Sequence, residues 1–243
     1  MLAWRDDTYA AIIPAIGQGL LVTIRVTIIA FALSLLGGTL LALALVSRRS
    51  WLREAGRAYV EVMRGVPMLV LLYYIAFAIG PAIIMAYAAG LAPLIEAGLL
   101  PAVTVRDFGF EWRAILALTF GYSAFIAEII RGGIEAVPKE QTEAAFALGL
   151  TRWRTMRHVV LPQAFKTMLP PLGNDLISML KDSSLVSVLG VGDITQLGKT
   201  YSAATFLFFE TYTVVAVFYL TMTIGLSVLV RRLEARLRSN ENA

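Results

Sequence analysis

Apolar residues fall into long unbroken runs separated by short charged segments, and that spacing sets the architecture before any single residue is considered. A bilayer core of about 30 Å requires roughly 20 apolar residues of helix. Four stretches meet that length, at about 20–46, 58–79, 112–130 and 211–230. A fifth, 169–191, is interrupted by Asn174, Asp175, Lys181 and Asp182 but is otherwise apolar, and Pro170-Pro171 suits the first turn of a helix. It is counted as spanning. The pattern predicts an all-α integral membrane protein with five transmembrane helices in a single domain covering 1–243.

The segment from 80 to 103 is apolar enough to suggest a sixth crossing, but Pro81, Gly90, Pro93, Glu96 and Pro101 interrupt it. A further span there would also carry one of the basic loops to the wrong face. The region 80–111 is therefore expected to form an outer-face helical hairpin or interfacial segment.

Composition agrees with the pattern. The chain has 243 residues, 58% of them hydrophobic, and a mean hydropathy of +0.73, against about 45–50% apolar in soluble domains. Its net charge of +4 does not point to nucleic acid, because the cations are sorted by loop. Arg48, Arg49, Arg53 and Arg57 follow the first run. Lys139, Arg152, Arg154, Arg157 and Lys166 follow the third, and Arg231, Arg232, Arg236 and Arg238 follow the last. The positive-inside rule makes those segments cytoplasmic, with the N-terminus outside and the C-terminus inside. With no cysteine there is no disulfide or thiolate metal site. The acidic pair Asp6-Asp7 and the lack of a small-residue cleavage site speak against a removable signal peptide.

The cytoplasmic insert at about 132–168 holds the most distinctive pattern. Residues 139–148 favour helix and are rich in alanine, and Gly149 offers a left-handed stop. Thr151 can cap a second short helix on which Trp153, Met156 and Val160 make an apolar face, with Pro162 ending it. The small Ala144, Ala145 and Ala147 allow close approach of a partner, with Glu143 at the rim. This reads as a docking element.

The glutamate and two alanines, the glycine six residues after the glutamate and the proline thirteen further on resemble the cytoplasmic EAA loop of bacterial ABC importer permeases. RGVPMLV beginning at Arg64, AEIIRGGIEAVPK beginning at Ala127 and LKDSSLVSVLG beginning at Leu180 narrow the resemblance to the polar amino-acid uptake family, over about 17–232. The resemblance implies a type I importer permease fold in the inner membrane, and a coupling role for Glu143, Ala144, Ala145, Gly149 and Pro162. It also implies a second permease subunit, identical or homologous, and two cytoplasmic ATPase subunits. An extracytoplasmic solute-binding protein would deliver a polar amino acid. No cofactor is expected on this chain, since ATP-Mg belongs to the ATPase subunits.

In the predicted span 169–191, the residues that could carry transport are charged ones placed where charge is expensive. Lys181 and Asp182 fall mid-span, where each costs about 2.5–3.5 kcal/mol on insertion scales. Asn174, Ser178 and Lys181 share one helical stripe, and Asp175, Ser178 and Asp182 an overlapping one. This arc either lines a water-filled path between two permease subunits or forms a structural ion pair with another helix. Glu128 with Arg131, and Glu61 with Arg64, have the spacing of local pairs. Ala30, Ser34, Gly38 and Ala42 form a small-residue stripe suited to close helix packing. The run 192–200 resembles a phosphate loop but has the wrong glycine spacing and no preceding strand. His158, the single histidine, has no companion with which to hold a metal. No catalytic constellation is visible, so the chain is not expected to be an enzyme. An ion-coupled secondary transporter using Lys181 and Asp182 is the alternative, weakened by the lack of an inverted repeat.

Overall fold

The computed structural model describes the backbone of residues 2–239 and the side chains of 7–236. In chain order the helices are α1 (Leu2–Gly17), α2 (Gly19–Leu45), α3 (Ser50–Gly65), α4 (Met68–Tyr74), α5 (Gly80–Gly90) and α6 (Ala92–Glu96). They are followed by α7 (Phe110–Glu135), α8 (Lys139–Ala147), α9 (Arg152–Thr155), α10 (Leu161–Asp182), α11 (Ile194–Thr205) and α12 (Phe208–Ser239). Wide π turns join α4 to α5 (Ile75–Ile79) and α9 to α10 (Met156–Val160), and a 3-10 segment, Ser183–Leu189, continues α10. Among the described residues no strand occurs. Four runs are long and apolar enough to cross a membrane: Asp7–Leu45, Met68–Gly90, Phe110–Glu135 and Phe208–Arg236.

The scaffold is the parallel pair α2 and α7, and the small-residue stripe is what allows it. Ala30, Ser34, Gly38 and Ala42 are buried, and Ser34 Oγ donates to the Thr119 carbonyl across the interface at 3.3 Å. A Cβ on Gly38 would lie 2.6 Å from Ile126 Cγ2 and 3.0 Å from the Ser123 carbonyl. Only a bare backbone fits there. The stripe therefore packs within this chain. Tyr59 of α3 closes the same region, its hydroxyl donating to the Phe120 carbonyl at 2.9 Å and lying 3.0 Å from Ser123 Oγ. On the other side Leu71, Leu72, Ile75 and Ala76 bury against Ala114, Ile115 and Leu118.

Three expectations about helix boundaries need correction, and proline chemistry explains each. The segment 58–79 is not one helix. Val66 is extended (φ −93°, ψ 130°) ahead of Pro67, as the clash between a proline ring and the preceding residue requires, so α3 ends at Gly65 and a new helix begins at Met68. Pro81 does not interrupt the helix that follows, and 80–90 continues the apolar run instead of starting a hairpin; only α6 and residues 97–109 turn back. Here the Gly80 N–H bonds to the Ile75 carbonyl five residues back, and the widened turn takes up the proline ring. Pro162 likewise does not stop the helix of the 132–168 insert. The Leu161 N–H bonds to the Met156 carbonyl, and the helix runs on into α10, which places Pro170 and Pro171 inside it rather than in its first turn.

The π turn at 75–79 deprives the Ala76 carbonyl of its helical donor. Ala76 would take the Gly80 N–H in an α-helix or that of residue 81 in a π-helix, but the first is diverted and the second is a proline. Arg113 fills the gap, its Nη1 donating to the Ala76 carbonyl at 3.0 Å. Its Nε donates to the Phe108 carbonyl at 2.7 Å and its Nη2 to that of Val105. The guanidinium lies 4.9 Å from the centre of the Phe110 ring. One buried cation thus ties the returning loop to the second apolar helix. In that loop Thr104 donates to Asp107 through its N–H at 2.8 Å and its hydroxyl at 2.7 Å, and these bonds hold the Asp107 carboxyl below the usual range.

The N-terminal helix α1 was not anticipated from the apolar runs. Ile12 and Ile16 bury against Ile194, Val214 and Val215, which seats α1 on α11 and the start of α12. The glycine-rich run 192–200 serves the same corner. Asp193 caps α11 by accepting from the N–H groups of Thr195 (3.1 Å) and Gln196 (3.0 Å), and Tyr219 donates to it at 3.1 Å. A Cβ on Gly19 would come within 2.6 Å of Ile194 N, and one on Gly198 within 2.6 Å of Val215. These glycines mark close helix contacts.

The packing yields a first test. Gly38→Ala must push Ile126 or the backbone aside and is expected to cost about 1–3 kcal/mol, read as a lower thermal midpoint in detergent. Gly225→Ala, whose Cβ meets nothing within 4 Å, is expected to leave the midpoint unchanged or raised. Equal midpoints for the two variants would refute the close α2–α7 contact.

Candidate translocation groove and coupling loop

Two breaks in regular helix meet at one place. The first is the extended Gly65-Val66-Pro67 joint, and the second is the tightening of α10 into its 3-10 segment after Asp182. Met63, Val66 and Met68 from the joint, Tyr122 and Phe125 from α7, and Asp175, Ser178 and Asp182 from α10 enclose a cavity of about 240 Å³. Non-helical backbone at membrane depth is tolerated where it lines a cavity.

This cavity opens into a longer groove. A neighbouring space of about 550 Å³ is lined by Arg64, Phe125, Glu128, Thr167, Asn174 and Asp175 among others, and a third of about 460 Å³ by Arg57, Glu61, Arg64 and Glu128 among others. Phe125 and Asp175 border both of the first two spaces, and Arg64, Phe125 and Glu128 both of the last two, which places the three side by side in one groove.

The predicted arc of α10 divides in the structure. Asp175, Ser178 and Asp182 turn into the groove and are half-buried, while Asn174 sits exposed at its mouth and Lys181 is exposed. Asp182 accepts a hydrogen bond from the Tyr122 hydroxyl at 2.8 Å, so its nearest partner is neutral. Asp175 carries a buried Oδ2 with no hydrogen-bond partner. Glu128 and Arg131 pair as their spacing suggested, at 2.6 Å, and Glu135 joins them at 2.6 Å. Glu61 and Arg64 do not pair. The Arg64 guanidinium instead stacks 5.6 Å from the centre of the Phe125 ring, leaving its charge at the groove. Tyr122, Phe125 and Arg64 are groove residues that sequence reasoning passed over; the proline within the second apolar run was the available signal for the joint.

In the 132–168 insert the turn chemistry is the one the sequence suggested. Gly149 is left-handed at φ +78°. Its N–H bonds to the Phe146 carbonyl at 2.9 Å, and the Leu150 N–H to that of Ala145 at 3.1 Å, which is the Schellman pattern that satisfies the last carbonyls of a helix. Thr151 caps α9 by accepting from the Arg154 N–H. Glu143, Ala144 and Gly149 are exposed. Ala145 is not presented to a partner, being only 4% exposed beneath α8. Pro162 is exposed at the first turn of α10. Trp153 departs from the apolar face expected of it and is 67% exposed, because α9 lasts a single turn and the π turn then shifts the phase of the following residues. Thr155 and Val160 face inward in its place.

Comparison with known proteins agrees with this geometry. Residues 34–239 match the family described as "Binding-protein-dependent transport system inner membrane component". The glutamine transport system permease protein GlnP of Escherichia coli (strain K12) is 34% identical over 228 residues, covering 93% of this chain and 94% of the relative. The arginine transport system permease protein ArtQ of Bacillus subtilis (strain 168) is 30% identical over 229 residues, covering 94% and 95%. A solved structure described as an amino acid ABC transporter with histidines superposes with a TM-score of 0.77 at 35% identity, covering 92% of this chain and 94% of that one. An inward-facing structure of the MetNI methionine ABC transporter shares the fold, with a TM-score of 0.64 at 21% identity and coverage of 93% and 95%. With its central helices, its groove and its 132–168 insert placed as described, this chain belongs to the binding-protein-dependent transport family of the inner membrane, as the multi-pass permease subunit of an ABC importer whose ATP hydrolysis resides on a separate subunit.

Proposed function

We propose that this permease forms the path for a polar amino acid, working beside a second permease subunit. Two cytoplasmic ATPases would dock on its 132–168 loops, and an extracytoplasmic binding protein would deliver the substrate. The observation that carries the reading is the groove where the Gly65-Val66-Pro67 joint meets the irregular end of α10. It presents a cation at Arg64 and carboxylates at Asp175 and Asp182. A zwitterion offers the complementary pair of charges. Names of the relatives above, a glutamine and an arginine permease, support the amino-acid class.

In this proposal α10 is the fifth membrane helix. Its charges exclude it from a hydropathy reading, but they turn toward the groove and the chain surface that a second subunit would cover. The N-terminus lies outside and the C-terminus inside, with the outer-face segment reduced to α6 and the loop that returns to α7. Glu143, Ala144 and Gly149 form the surface that meets the ATPase. Ala145 acts from beneath, packing α8 onto the chain, and Pro162 joins the loop to α10. ATP-driven closure of the ATPases would move α8 and, through the continuous α9–α10 helix, the wall that carries Asp175 and Asp182.

Orientation is tested directly because the chain lacks cysteine. A His158→Cys variant is expected to resist an impermeant thiol reagent in intact cells and to react after lysis. Reaction in intact cells would overturn the topology.

Coupling is tested at Gly149. A Cβ there meets no neighbour, so the effect of Gly149→Val comes from left-handed backbone strain of roughly 1–2 kcal/mol or a reoriented loop. Uptake and substrate-stimulated ATP hydrolysis are expected to be lost while the permease remains in the membrane. Normal stimulation would remove the coupling role.

The path is tested with Asp175→Asn and Asp182→Asn, singly and together, measuring uptake and assembly on one preparation. If these charges line the path, the double variant assembles with its ATPase yet loses uptake. Near-normal uptake in the double variant, with assembly retained, would leave α10 as scaffold.

A further inference from the structure

A second cavity, of about 680 Å³, lies outside the groove, between the end of α7 and the coupling loop. Its walls are apolar at Ile134, Val137, Phe146, Met156 and Val160, and its charged rim is Lys139, Arg152 and Glu135. The Glu135 carboxylate is engaged by Arg131 at 2.6 Å, which leaves the two cations as the available charges. At its inner wall Thr155 is 2% exposed, and its hydroxyl has no hydrogen-bond partner. A buried hydroxyl left unsatisfied is costly, and here it lines a space large enough for a ligand.

The ATPase does not reach this cavity in the arrangement proposed above. On α8 the cavity is lined by Lys139, Thr142 and Phe146, whereas the docking surface centres on Ala144. Two residues along a helix turn it by about 200°, so Thr142 and Ala144 point in nearly opposite directions. The cavity also abuts the last turn of α7, one turn beyond Arg131. On the orientation proposed above, that level is the headgroup zone of the cytoplasmic leaflet.

From the combination of apolar walls, two unpaired cations and a buried hydroxyl donor at that depth, we propose that this cavity binds an anionic phospholipid of the cytoplasmic leaflet. Its phosphate would meet Lys139, Arg152 and the Thr155 hydroxyl, and its glycerol and upper acyl carbons would lie against Phe146, Met156 and Val160. A lipid held there braces α8 against α7 and so makes coupling sensitive to the anionic lipid content of the membrane. The inference rests on the cytoplasmic placement of the insert, which the His158→Cys labelling reports independently; correct labelling with failed lipid binding would sink this inference alone.

The test titrates the detergent-solubilised permease–ATPase complex and the permease alone with dioleoyl phosphatidylglycerol, following the thermal midpoint. Dioleoyl phosphatidylcholine and glycerol phosphate serve as comparison probes. Phosphatidylglycerol is expected to raise the midpoint saturably in both preparations, and neither comparison probe is expected to do so. Lys139→Gln combined with Arg152→Gln is expected to raise the half-saturating concentration about 25-fold, from the usual contribution of two cations near an anionic surface. Thr155→Val is expected to raise it less, and Arg152→Lys, which keeps the charge, to retain most of the binding. Four outcomes would each overturn the proposal. An equal response to phosphatidylcholine would mean apolar contact alone, and an equal response to glycerol phosphate a free-anion site. Unchanged half-saturation in the double variant would place the lipid elsewhere, and loss of the response on adding the ATPase would assign the cavity to that subunit.

Discussion

Backbone hydrogen bonding in a medium without water is the constraint on which this structure depends. Each carbonyl within the hydrocarbon must find a donor in the protein, yet Pro67 falls within the predicted run 58–79, and Pro81, Pro162, Pro170 and Pro171 stand inside helices. Different solutions appear at different depths. At Pro67 the helix breaks and the exposed backbone borders the groove. At Pro81 it widens into a π turn, and a buried arginine supplies the donor that the Ala76 carbonyl lacks. At Pro162 the same π turn lies at the exposed start of α10, where water can serve the freed carbonyl.

Those solutions also position the functional features. The break at Pro67 brings Arg64, Val66 and Met68 to the groove wall facing α10. The π turn before Pro162 keeps α9 and α10 continuous, so that on the proposed coupling role of the 132–168 insert a displacement there would be carried along the helix toward Asp175 and Asp182. Beside these elements α2 and α7 pack closely, Gly38 lying against Ile126 and the Ser123 carbonyl and Ser34 Oγ donating to the Thr119 carbonyl. Small residues replace the hydrophobic driving force that is weak between helices in lipid.

Charge placement follows the same logic of depth. Pairs near the ends of helices, such as Arg131 with Glu128 and Glu135, or Arg25 with Glu111 at 2.7 Å, settle locally. Deeper charges lack such partners. Asp182 has a tyrosine hydroxyl, Asp175 has a buried oxygen with none, and Arg64 has the face of Phe125. On the proposed function, groups left in that condition are the ones a substrate would meet.

What the sequence determined by itself follows from local physics. Apolar run length marked the membrane helices, turn chemistry placed Gly149 in its left-handed position and Thr151 as a cap, and three-residue spacing paired Glu128 with Arg131. The small-residue stripe announced a close contact in the same way. Tertiary structure alone decided what depends on distant partners: that the stripe meets α7 of the same chain, that Arg64 leaves Glu61 for Phe125, and that Ala145 faces inward while Trp153 faces out. It also decided that Pro81 and Pro162 stand within helices. A proline's local effect is to remove one donor and crowd one turn, and whether the chain then breaks, as at Pro67, or widens, as at Pro81, depends on whether a group such as Arg113, 32 residues further along the sequence, comes back to satisfy the carbonyl set free.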